Sequence, residues 1–196
     1  MYAKQITEIE MLLITLETAT FYERDVIENR IMQLATADPE SLIPIISANT
    51  GKRSYLAARM LGRVVRESEN FSGRIKSTMM GFLTSSNFML RLITVQLIGN
   101  FGQNTDVQYL INQLNDEKTV VQIEVVRSLG KLGDPQAVRP LIDLLLKSDS
   151  STLRYTIIGT LDLLGDQDTV SVIRTFASDP DAHVRSKVKN ILQKFE

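Results

Sequence analysis

Three observations predict an all-α chain, an α-solenoid of antiparallel helical hairpins. Apolar residues recur at helical spacing along most of the 196 residues. One set of positions repeats every 31 to 37 residues. Turn chemistry falls between the periodic stretches. Residues 116–165 carry all three. Val121, Val125, Leu129 and Leu132 form one apolar stripe, with Glu124, Arg127, Ser128 and Lys131 on the other side. Gly133 suits a left-handed helix end, and Asp134-Pro135 suits the next helix start. The second helix turns Val138, Leu141, Ile142 and Leu145 inward. It breaks at the capping run Ser148-Asp149-Ser150-Ser151. A third carries Leu153, Ile157, Ile158, Leu161 and Leu164 and ends at Gly165-Asp166.

The repeat is read from its anchors: Leu61, Ile98, Leu129, Leu161 and Leu192, at intervals of 37, 31, 32 and 31 residues. Seven residues before them stand Ser54, Arg91, Gln122, Arg154 and Arg185. Gly62, Gly99 and Gly130 follow three of the anchors. Phe101-Gly102, Leu132-Gly133 and Leu164-Gly165 recur just beyond. A single hairpin cannot bury its apolar face, so the units stack. The run VVRSLGKLGDPQAVRPLIDLLLKSD resembles a HEAT-like repeat of the phycobilisome lyase type. The likeness is close from about Asn87 to Glu196, loose over 39–86 and slight over 1–36. It implies a HEAT-like superhelix whose second helices line a concave surface. Such repeats occur in bilin lyase subunits, in scaffolds and in an uncommon class of DNA glycosylase.

In chain order, residues 4–18 predict a helix with Ile6, Ile9, Leu13 and Leu16 on one face. Residues 22–36 predict another, with Val26, Ile27, Ile31 and Leu34. This pair, 1–36, reads as an N-terminal capping hairpin. Residues 1–50 carry Lys4, Arg24 and Arg30 against eight acids, a net of −5. The charge reverses over 51–76, to a net of +5. Hairpins follow at 39–48 with 52–68, 74–84 with 87–101, 104–115 with 118–132, 135–147 with 151–164, and 167–178 with 182–195. An irregular loop is expected at Glu67–Gly73. Met79, Met80 and Met89 read as core filling. The whole chain reads as one domain, with repeats over 37–181 and a C-terminal capping helix over 182–196.

Composition narrows the chemistry. Net charge is −1 and there is no Cys, no Trp and one His. Disulfides, thiolate chemistry and Cys/His zinc sites are thereby excluded. Near-neutral charge and the missing Trp argue against nucleic acid as partner. The apolar run Ile9–Leu16 carries Glu10 and lacks a basic flank, so it reads neither as a signal peptide nor as a membrane span. A cytoplasmic protein is expected. Gly51-Lys52 lacks the rest of a phosphate-binding loop. Asp162, Asp166 and Asp168 lack calcium-loop spacing and read as caps. His183 has no catalytic companion and reads as a surface or capping residue. Arg91, Arg154 and Arg185 recur at one position, with Asp149 and Asp181 shortly before two of them. In similar repeats such residues tie turns into a ladder, which Gln122 interrupts here.

No catalytic residue, metal ligand or cofactor is assigned. The candidate site is a partner-binding concave face on the second helices, projected from Glu124, Arg127 and Lys131 by the anchor spacing. It comprises Arg59, Arg63, Gln96, Asn100, Glu124, Arg127, Lys131, Lys187, Asn190 and Lys194. Leu56, Ile93, Thr156, Gly159 and Leu163 complete the projection, with the leucines and Ile93 expected to be exposed. Mixed basic and apolar character suits a protein-binding groove. The reading is a non-catalytic scaffold or adaptor for an acidic partner protein. The resemblance supplies an alternative, a bilin lyase subunit or pigment-protein chaperone, in which the bases hold the propionates of the pigment.

Overall fold

The computed structural model describes residues 2–48, 51–68, 73–165 and 167–195. Among them are twelve α-helices and no strand. They are α1 (Tyr2–Thr18), α2 (Phe21–Ala37), α3 (Leu42–Ala48), α4 (Lys52–Ser68), α5 (Gly73–Gly81) and α6 (Phe88–Phe101). Then follow α7 (Val107–Asn112), α8 (Thr119–Leu132), α9 (Val138–Lys147), α10 (Ser151–Leu164), α11 (Gln167–Arg174) and α12 (Ala182–Leu192). The chain is all-α, built of the expected hairpins. In the five hairpins after the N-terminal pair, each first helix, expected as one α-helix, carries at least one tighter 3₁₀ turn: Pro39–Ser41, Phe82–Thr84, Asn104–Asp106, Gln113–Asn115, Pro135–Ala137 or Thr175–Ser178. A 3₁₀ turn closes orphan backbone groups at a helix end within few residues. Of the loop expected at Glu67–Gly73, residues 69–72 lie outside the described residues. Glu67 and Ser68 end α4, and Gly73 begins α5.

The helix boundaries follow the turn chemistry. The Glu23 carboxylate accepts the Thr20 N–H at 2.9 Å, which holds its pKa below the ordinary value. Gly133 has φ of 73°, the left-handed conformation that ends α8 without strain on a Cβ. The Asp134 carboxylate accepts Gln136 N–H at 2.8 Å, Ser150 Oγ accepts Leu153 N–H at 3.3 Å, and Asp181 accepts His183 N–H at 2.8 Å.

The residues fall into two compact units, Met1–Thr94 and Val95–Glu196, with the boundary inside α6. In the first unit, α1 packs on α2, both meet α4, and α3 lies against α4. Ile9, Leu13, Leu16, Ile31, Leu42, Ile45, Leu61 and Val64 are fully buried. Val26 departs from expectation: it is 71% exposed, and Met32 and Ala35 face inward with Ile31 instead. The buried stripe of α2 is therefore rotated from the one that spacing selected. Met79 is buried, and Met80 and Met89 are half-buried.

In the second unit α8, α10 and α12 stack side by side. Ile98, Leu129 and Leu161 are at most 1% exposed, as the anchors require. Leu132, Val138, Ile142 and Leu164 are only half-buried. Leu192 is half-exposed too, and Ile191 takes the buried position of the last turn. Successive second helices approach closely. A Cβ at Gly99 would strike Ser128, and one at Gly130 would lie 3.2 Å from Thr160. Ser128 Oγ donates to Val95 O at 3.1 Å and Thr160 Oγ1 to Val126 O at 3.4 Å, each on the preceding second helix.

The position seven residues before each anchor has one shared role. Its side chain donates back to a carbonyl at the end of the preceding first helix. Ser54 reaches Ile46 O at 2.8 Å, Arg91 reaches Ser85 O at 2.6 Å and Gln122 reaches Leu114 O at 3.0 Å. Arg154 Nη1 reaches Ser148 O at 3.1 Å, and Arg185 Nη1 reaches Asp179 O at 2.7 Å. Arg154 also uses its other edge. Its Nε and Nη2 donate to the two oxygens of Asp179 at 2.7 and 2.8 Å, tying the fourth hairpin to the fifth. These bonds hold the Asp179 carboxyl below its ordinary pKa and raise that of Arg154.

Two predictions follow from this packing. Leu129→Ala should lose roughly 2–5 kcal/mol in denaturant titration, the range for truncating a buried leucine; a loss under ~0.5 kcal/mol would contradict the repeat register. The second concerns acid. Because the Asp179 pKa is depressed in the folded chain, its contribution is present above the unfolded pKa of about 3.9 and is lost as pH falls through the native value. Asp179→Asn should be less stable than wild type near neutrality. It should lose less stability than wild type between pH 5 and strong acid, as read from urea midpoints at each pH.

Candidate partner-binding face

Ten residues were projected onto one face, and the two units hold different shares of them. Arg59 and Arg63 lie on α4 in the first unit, one helical turn apart. Both are half-buried and both donate to Glu28 of α2; the Arg63 bond is 2.8 Å long. Their neighbours repeat the theme: Arg53 pairs with Glu17 at 3.1 Å and Arg74 with Glu40 at 2.8 Å. The acidic block and the basic block of the sequence thus engage each other inside this unit. Two apolar members of the projection do not reach the surface: Leu56 is 3% and Ile93 6% exposed. Both turn into the core.

The other eight residues belong to the second unit: Gln96 and Asn100 on the C-terminal part of α6, Glu124, Arg127 and Lys131 on α8, Lys187 and Asn190 on α12, and Lys194 just beyond its end. Asn100, Arg127, Lys131, Asn190 and Lys194 are exposed; Gln96, Glu124 and Lys187 are half-buried. They are linked from hairpin to hairpin. Lys131 Nζ donates to Asn100 Oδ1 at 2.9 Å, and Lys194 Nζ donates to Asp162 Oδ2 at 2.7 Å. Lys187 Nζ lies 5.8 Å from the centre of the Tyr155 ring, over which the cation is attracted by the ring quadrupole. Arg127 stands 3.8 Å from Glu124, a loose pair on one helix. Gly159, between these rows, leaves room for the Lys187 stem: a Cβ there would lie 3.3 Å from its Cε.

One row is distinctive. Lys131 on α8, Leu163 on α10 and Lys194 just beyond α12 each follow an anchor by two residues, and Leu163 is 76% exposed. An apolar side chain thus stands in the open on α10, the helix that packs against both α8 and α12. Asp162, read from the sequence as a cap, is instead the acceptor for Lys194. Asp168 stands exposed in the first turn of α11, and Asp166 lies outside the described residues. His183 is exposed in the first turn of α12, where its backbone N–H is held by Asp181. That bond, after the one from Val184 N–H, keeps the Asp181 pKa low. Among the described residues no three His, Cys, Asp or Glu side chains group as metal ligands would. No helix among them is long and apolar enough to cross a membrane.

Sequence reasoning missed Glu28, the acid that two arginines share, and the hydroxyls of Ser128 and Thr160. A signal for the hydroxyls existed: they recur 32 residues apart, each one residue before its anchor. Asn100 with Lys131 and Asp162 with Lys194 are likewise separated by one repeat, 31 and 32 residues.

No curated protein matches the chain. The family described as HEAT repeats matches it over residues 75–158 and again over 138–196, more than half of its length. The hairpin period, the buried anchors and the stacked second helices agree with that match, and the chain belongs to the HEAT-repeat family.

Proposed function

We propose that the chain is a non-catalytic cytoplasmic scaffold whose second unit binds an acidic partner protein along α8, α10 and α12. The observation that carries this reading is Leu163, exposed on α10 next to Asp162, the acceptor for Lys194, on a helix that packs against the Lys131-bearing α8. Apolar surface rimmed by charge is the usual make-up of a protein contact. Leu163 supplies area to bury, and the lysines supply the sign of the partner. Carboxylates of the partner would replace Asn100 and Asp162 as acceptors for Lys131 and Lys194. Arg127 and Lys187 extend the basic field, and Gln96, Glu124 and Asn190 supply directional hydrogen bonds. Arg59 and Arg63, held by Glu28 in the first unit, have no part in this contact. HEAT repeats as a kind of fold mediate protein interactions, which is consistent with this reading.

The bilin lyase reading rests on the sequence resemblance alone. Adding a free bilin to the protein separates it: a shift of the pigment's absorbance band would favour that alternative over the scaffold.

The scaffold reading is tested by charge reversal. A variant with Arg127, Lys131 and Lys194 each changed to Glu should keep its helical circular dichroism, because all three are exposed. Its association with the partner captured from the native host should slow roughly tenfold or more at low salt. The wild-type rate should fall as salt rises, since exposed charges are screened within ~8–10 Å. Equal association rates for variant and wild type at low salt would reduce these rows to solvated surface.

A further inference from the structure

Arg154 shows what the side chain at its repeat position can do, and Arg185 stands at the equivalent place one hairpin later. Both anchor Nη1 on the carbonyl six residues back, Ser148 O for Arg154 and Asp179 O for Arg185. Arg185 Nη1 also reaches Pro180 O at 2.9 Å. That shared anchor fixes the direction of the guanidinium. The remaining edge of Arg154, Nε and Nη2, receives the two oxygens of Asp179. The same edge of Arg185 makes no hydrogen bond or ion pair with any described residue. It borders an open groove of about 490 Å³ on the outer side of α12. Ala177, Val188 and Leu192 give the groove apolar walls, and Lys189 adds a second base. Leu192 is the anchor that stays half-exposed, although its counterparts on α8 and α10 are covered by the next hairpin.

We propose that this groove is a second docking surface, independent of the α8–α10–α12 rows, for a helical hairpin of another protein that carries an aspartate on its inter-helix turn. The aspartate would meet Nε and Nη2 of Arg185 as Asp179 meets Arg154. An apolar residue of the same hairpin would cover Leu192. The partner is acidic because Arg185 and Lys189 both face the groove. For the same reason two copies of this chain do not meet through it face to face, since like charges would oppose each other. Arginine suits this role better than lysine: its planar fork matches a carboxylate with two parallel bonds, and the anchored Nη1 has already ordered it.

The probe is a synthetic peptide with the sequence of residues 177–182, which contains the aspartate turn that Arg154 recognises. Its control carries Asp179→Asn and keeps Asp181. The full chain, labelled with ¹⁵N, reports through its arginine Nε–Hε signals, with that of Arg154 as the internal standard for a carboxylate-bound fork. The Arg185 signal should move toward the Arg154 position and saturate with the acidic peptide. It should move far less with the control, and Arg139 and Arg174 should stay in place. Arg185→Lys should weaken peptide binding roughly tenfold, read from other groove signals. If Arg185 moves no more than Arg139 and Arg174, or responds equally to both peptides, the proposal is wrong. If the lysine variant binds as well as wild type, the contact is a point-charge attraction and the fork has no role, which also overturns it.

Discussion

The close approach of one second helix to the next governs the C-terminal unit. Gly99 faces Ser128 and Gly130 faces Thr160, each glycine directly following a buried anchor. Where two helix backbones come this near, only a missing side chain on one and a small one on the other will fit. The small residue is a hydroxyl in both cases. Its polar atom is satisfied by a carbonyl of the facing helix, so burial leaves no orphan donor. Anchor burial, hairpin spacing and the alignment of the exposed rows all depend on this contact. Between α6 and α8 it sets how far apart equivalent residues stand and thus brings Lys131 to Asn100.

The two units use charge differently. In the first, long basic side chains of α4 lie over the acidic helices, and one carboxylate, Glu28, serves two guanidinium groups. Pairs of this kind at partial exposure contribute modestly to stability, but they consume the charge that a partner would otherwise meet. In the second unit three of the bases are held at the surface by weaker acceptors: an amide for Lys131, an aromatic ring for Lys187, a distant acid for Arg127; Lys194 alone of the face has a close carboxylate, Asp162. The same residue types therefore close a fold in one place and present a field to solvent in the other.

This contrast explains what could be read from the sequence. Helical spans and hairpin order were legible, because the period and the turn residues are local. The anchors Leu129 and Leu161 were legible as well, since burial there repeats with the period. Leu56 and Ile93 were not: they share a helical face with exposed residues of other hairpins, but burial depends on what packs against that face. Arg59 and Arg63 illustrate the same limit. Spacing places them on a polar side, and only the position of Glu28, 31 residues before Arg59, reveals that this side is covered. Val26 was misjudged because α2 has little amphipathic contrast, so several stripes compete. The fork of Arg154 could be suspected from its repeated position, but its partner, Asp179, lies 25 residues away in the next hairpin.

Gln122 has a mechanical consequence. It caps Leu114 as an arginine would, but its amide has no second edge with which to grip a carboxylate beyond. The fourth and fifth hairpins are strapped by a charged fork. The third and fourth rely at this level on apolar contact and the Thr160 hydroxyl. Apolar contact is non-directional and lets helices slide by small amounts, whereas a two-bond fork resists shear and rotation. Resistance to shear is thus of two kinds along the stack: a charged fork at the turns joins the fourth hairpin to the fifth, and close helix-to-helix contact at Gly130 and Thr160 joins the third to the fourth.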